Sequence, residues 1–203
     1  LSGASVIQTM SAAVSRQGMV LTVSLILGVV YAPLLSIPLM LLLTLGPLSG
    51  RIGTTFMPIA SEFDSLDQVQ KIIKLSVYGT RYTFMIGLLI TVYIFIYGKQ
   101  LLILWLPEAE ISTHDIEIMY SSLLMLIIPF MLVRSNQGNR TILRSTGSHW
   151  QVSYILLFSS ILGLIVGMLL MMYTSLGIYG AVIALVLKLF LGDYVLTLSL
   201  LMK

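Results

Sequence analysis

Residues 44–63 read TLGPLSGRIGTTFMPIASEF and follow directly on the apolar run IPLMLLL at 37–43. One arginine, Arg51, stands in the middle among small, apolar and hydroxyl residues. A charge at the centre of a bilayer costs about 2.5–3.5 kcal/mol on insertion scales, so it faces a bundle interior or water. Gly50 and Gly53 flank Arg51, with Ser49, Thr54 and Thr55 close by, which leaves room for a polar guest. The stretch therefore reads as a membrane helix with one side turned away from lipid.

The rest of the chain agrees. Of 203 residues, 58% are hydrophobic and 9% charged. Soluble domains carry about 25% charged residues, so this chain has too little polar surface to cover a water-soluble fold. The composition predicts an all-α polytopic membrane protein. The formal charge of +3 is spread between apolar runs and forms no stripe, so it does not point to nucleic acid as a partner. With no cysteine there is no disulfide framework and no thiolate metal or redox site. The first residue is Leu1 and no signal-peptide pattern follows, so the chain reads as a piece of a longer protein.

Six apolar runs approach the roughly 20 residues needed to span a bilayer. They lie at 5–27, 30–61, 72–97, 116–141, 149–173 and 178–201, and predict a single six-helix bundle over 1–203. The second carries Pro33, Pro38, Pro47 and Pro58. Each proline removes a backbone hydrogen bond, so this helix is expected inside the bundle or beside a wet cavity. Asp64 or Ser65 is the expected cap of the third helix. Gly163 and Gly167 form a GxxxG, which permits close helix approach.

Loop charges predict an orientation. The 134–149 linker has Arg134, Arg140 and Arg144 and no acid, whereas 98–117 has four carboxylates against Lys99. Basic residues accumulate on the cytoplasmic side, which places both termini there in a cytoplasmic membrane and turns 98–117 outward.

Several short segments recur in a familiar order. MPIASEF ends a proline-containing helix with Pro58 and Ser61; GKQLLILWLPE closes the third helix; Ile142, Leu143 and Gly147 precede the fifth; Gly177, Ile178, Gly180 and Ala181 open the sixth. Their succession resembles the polysaccharide-transport branch of the multidrug/oligosaccharidyl-lipid/polysaccharide exporter superfamily, with Pro107 where that family commonly has glycine. The resemblance covers nearly the whole chain and rests on order and spacing. It implies one six-helix lobe of a two-lobe exporter fold. The second lobe would come from the parent chain or from a second copy. It also implies a flippase that moves a lipid-linked oligosaccharide, on polyprenyl pyrophosphate, across the membrane for surface polysaccharide synthesis by alternating access.

Under that reading Arg16, Arg51 and Arg81 form a cationic cavity wall for the anionic headgroup, because arginine binds phosphate oxygens bidentately. Tyr82 and Tyr31 add hydrogen bonds or sugar stacking. Each has a plainer alternative. Arg81 snorkels to headgroups, Arg134, Arg140 and Arg144 set orientation, and Lys188 with Asp193 makes an i,i+5 polar contact. The tyrosines form an interface belt against membrane lipid.

Catalysis has little support. His114 and His149 lie in loops, no phosphate-binding glycine loop or metalloprotease motif occurs, and no cofactor or metal is expected. Two further readings stay open. A membrane glycan polymerase or ligase would use Glu108, Glu110, Asp115 and Glu117. A cation-coupled drug antiporter would need an intramembrane carboxylate, for which Asp193 is the candidate.

Overall fold

The computed structural model describes residues 3–54, 56–106, 112–145 and 149–196. Among them every apolar run is helical and no strand occurs. The first rod is continuous: α1 (Gly3–Ala13), a π-helical segment (Val14–Gly18) and α2 (Met19–Ile26). Gly28, at φ 112°, reverses the chain in a conformation that only glycine adopts freely. A 3₁₀ turn (Val29–Tyr31) then leads into α3 (Ala32–Thr54), and α4 (Phe56–Ser65) follows. The third rod is α5 (Val69–Trp105) and the fourth α6 (Thr113–Ser135), with α7 (Gln137–Ser145) after it. The fifth is α8 (His149–Tyr173); the sixth is α9 (Ile178–Leu187), extended by a second π segment (Lys188–Leu196).

Five of these rods are long and apolar enough to cross a membrane: Val29–Leu48, Val69–Trp105, Thr113–Ser135, Trp150–Tyr173 and Ile178–Val195. The chain is an all-α, multi-pass membrane protein. The expected first span, 5–27, is helical but is not among the five. Ser5, Gln8, Thr9, Ser11, Ser15, Arg16 and Gln17 dilute its hydropathy.

Other expectations shift. The third helix runs for 37 residues, not 72–97, which is about 55 Å at 1.5 Å per residue and far longer than the hydrocarbon layer. GKQLLILW is thus helix, not loop. The fourth helix ends at Ser135 instead of continuing to 141, and begins at a capping box in which Ser112 Oγ accepts from the Asp115 amide. The cap of α5 is Gln68, without side-chain help. Asp67 occupies a left-handed turn, and Ser65 Oγ donates back to the Glu62 carbonyl instead.

Close approaches set the packing directions. Gly98 meets Tyr120 and Gly87 meets Met131, so α5 and α6 run antiparallel. Gly180 lies against Leu170, Gly167 against Ala184 and Gly163 against Lys188, so α8 and α9 do the same. The GxxxG pair therefore faces helices, with Met19 of α2 also over Gly167. α1 runs parallel to α8 and is bound to it by a polar ladder. Gln8 Nε2 donates to Ser153 Oγ at 2.8 Å, Ser11 Oγ to the Leu156 carbonyl at 2.7 Å, and the Ser11 and Ser160 hydroxyls meet at 2.9 Å. The core gathers Met19, Leu35, Leu42, Ile94, Leu123, Leu126 and Val182. The outer surface is apolar, with Leu25 and Leu104 each 85% exposed, as contact with lipid requires.

Candidate functional site: a cationic chamber beside a lateral groove

Where α1 leans onto α8, its opposite side faces α3 across a groove of about 1170 Å³. Leu39, Met40, Leu43, Val20 and Leu21 give it apolar walls; Gln8, Thr9, Gln17 and Ser36 give it polar points. Proline explains why α3 can serve here. Pro38 and Pro47 lie inside the helix, and the carbonyls they release need a polar surrounding. The proline helix, expected inside the bundle or beside a wet cavity, borders this groove with Ser36, Leu39, Met40 and Leu43.

Deeper in lies a second cavity of about 230 Å³, between the first rod, α3, α6, α7 and the sixth rod. Four cations line it, Arg16, Arg134, Arg140 and Lys188, against one carboxylate, Asp193. Arg16 lines both cavities and so stands at their junction. Its Nε donates only a long bond, 3.4 Å, to the Ala12 carbonyl. The Arg134 guanidinium lies 4.8 Å from the centre of the Phe130 ring. Neither arginine forms an ion pair, for the two ion pairs among the described residues are Lys99–Glu117 and Lys188–Asp193. Arg16 and Arg134 thus line one cavity with no ion-pair partner of their own.

The opposite wall is buried and paired. Lys188 Nζ donates to Asp193 Oδ2 at 2.7 Å, with side chains 8% and 7% exposed. Arg140 Nη2 donates to the Asp193 main-chain oxygen. Below, Ser76 Oγ donates to Asn139 Oδ1 at 2.5 Å and Asn139 Nδ2 to Asn136 Oδ1 at 2.6 Å. This chain of amides fixes α7 against α5 where α6 ends, and so places Arg140.

Of the residues expected to hold the headgroup, the structure brings Arg16 to the chamber. Arg81 and Tyr82 are exposed on α5 and line neither cavity, a position that suits snorkelling. Arg51 belongs to α3, but its side chain is outside the described ones, as is that of Arg144. Tyr31 is exposed in the 3₁₀ turn. Arg134 and Arg140, expected as orientation signals, and Lys188, expected in a polar contact with Asp193, also line the chamber. The signal was available: Asn136, Asn139 and Arg140 crowd the end of an otherwise oily run, and polar residues there need buried partners.

The loop carboxylates divide. Asp115 belongs to the capping box and Glu117 pairs with Lys99 at 3.4 Å, while Glu108 and Glu110 lie outside the described residues. Among the described residues no group of three or more His, Asp or Glu could hold a metal ion. Family models, characterised proteins and solved structures were all compared with this chain, and none matches.

Proposed function

We propose that this chain is one lobe of a flippase that carries a lipid-linked oligosaccharide across the cytoplasmic membrane for surface polysaccharide synthesis. The observation that carries the reading is the double position of Arg16. It is the charged residue shared by an open groove with apolar walls and a chamber in which cations outnumber carboxylates four to one. A guest with an apolar tail and an anionic head matches that order of surfaces. The resemblance in segment order to the polysaccharide exporters points the same way. On this reading both termini are cytoplasmic, and a second lobe in the parent chain or a second copy closes the other side of the path. Coupling to a cation through Asp193 is the weaker reading, because Lys188 already engages that carboxylate.

The test is export of the lipid-linked glycan in cells that carry Arg16→Ala, Arg134→Ala or both, with membrane insertion checked separately. Each single change is expected to cut export at least tenfold, in line with loss of a charge-assisted phosphate contact. Unchanged export by an inserted double variant would remove the basis of the proposal.

A further inference from the structure

The π segment Lys188–Leu196 and the ion pair it carries depend on each other. In an α-helix residues five apart point about 140° away from each other. A π-helix bonds i to i+5, which returns such residues to nearly one face. Lys188 and Asp193 are five apart and meet at 2.7 Å. Their neighbours allow this geometry. The Lys188 stem lies over Gly163, where an added Cβ would sit 3.0 Å from Lys188 Cβ, and Gly192 lies on Ser159, 2.2 Å from where a Cβ would fall. Only Oδ2 of Asp193 is used. Oδ1 is buried with no hydrogen-bond partner, on the wall of a cavity that Arg16 and Arg134 also line. A buried carboxylate oxygen without a partner is costly, and this one shares its cavity with two cations that form no ion pair.

We infer that Asp193 is a displaceable counter-ion of the chamber: it holds Lys188 until an anion enters between Arg16 and Arg134, and then yields Lys188 to that anion. This rests on the reading of the chamber as an anion site. An oxyanion there offers Lys188 an acceptor equivalent to Oδ2, and the two compete for one ammonium. The exchange makes Asp193 a positioning residue: it sets how tightly the chamber grips its guest, and it keeps the grip reversible. Loss of the bridge also removes the side-chain link that favours the π turn, so loading loosens the end of the sixth rod.

The experiment titrates inorganic pyrophosphate into the purified full chain in lipid nanodiscs, with calorimetric detection. Asp193→Asn leaves Lys188 free and is expected to tighten binding about tenfold, the size of a charge-assisted hydrogen bond. The double variant Lys188→Met with Asp193→Asn carries no buried charge at either position, which keeps the test available should Asp193→Asn fail to fold. If the bridge is inert, its two charges cancel and the double variant binds as the wild type does. If Lys188 is handed over, the double variant binds about tenfold more weakly. Equal affinity of wild type and double variant, with binding lost in Arg16→Ala, overturns the exchange and leaves the chamber reading standing. No binding to the wild-type chain overturns both.

Discussion

Lys188 and Asp193 are nearly sealed from outside, and that decides what each change there does. Removing one member of a buried pair leaves the other charged and unpaired. Lys188→Met should therefore lower stability by about 3 kcal/mol, whereas removing both charges should restore most of it; thermal unfolding in detergent gives both values. The contact itself was legible, since a lysine and an aspartate five apart in an apolar run have few other partners. Arg16 was legible for the same reason: it interrupts an oily stretch and had to be explained. Arg134 was not. Its place after a span fits a topology signal equally well, and only the packing of α6 against α3 turns it inward, where Gly46 lies within 3.0 Å of its Nε measured from an added Cβ. Arg51, which opens the question of a charge in an oily helix, sits in α3 as expected, and the answer that α3 borders a cavity rests on other residues of that helix.

At the level of elements, periodicity located the rods but not their breaks. The 37-residue length of α5 was hidden because Gly98, Lys99 and Gln100 look like a loop; they continue as helix because Gly98 packs under Tyr120 and Lys99 reaches Glu117. The π segments were invisible, as nothing in VSRQG or KLFLGDYVL differs in composition from α-helix. Helix contacts at glycine give a prediction. Gly192→Ala puts a methyl group where Ser159 Cβ already stands, so α8 and the sixth rod must separate. The cost should be about 1–3 kcal/mol, as for other overpacked positions, read as a lower melting temperature of the inserted protein. The α1–α8 ladder gives another. Ser11→Ala combined with Ser160→Ala removes two buried hydroxyls that bond each other and the Leu156 carbonyl. In membranes such bonds contribute roughly 0.6 kcal/mol each, so the pair should cost about 1 kcal/mol and raise hydrogen exchange in α1.

For the whole molecule, a membrane divides the exposed surface between lipid and water. The chain has no cysteine, so single cysteines report without interference. Ser36→Cys, on the groove, should react quickly with a membrane-impermeant maleimide. Leu89→Cys and Phe158→Cys, on the apolar exterior at 68% and 66% exposure, should react at least tenfold more slowly in membranes, since maleimide attack requires a thiolate and hence water. Equal rates at all three would mean that the groove is filled with lipid. At this scale composition alone was enough for the class of fold. The groove was not readable, because it arises from α1 choosing α8 as its partner, a pairing far apart in sequence.

The π turn at Val14–Gly18 has a consequence for sequence change. Such a turn holds one residue more than the α-helical path between the same neighbours. Deleting a single codon there would let the turn close to uniform pitch with its neighbours in place, whereas deleting one in α2 would rotate everything before it by about 100°. Gln8 and Ser11 would swing off their seats on α8, and a guanidinium now aimed at the junction of two cavities would aim elsewhere. Outside the π turn, one lost amino acid should do more harm than most replacements.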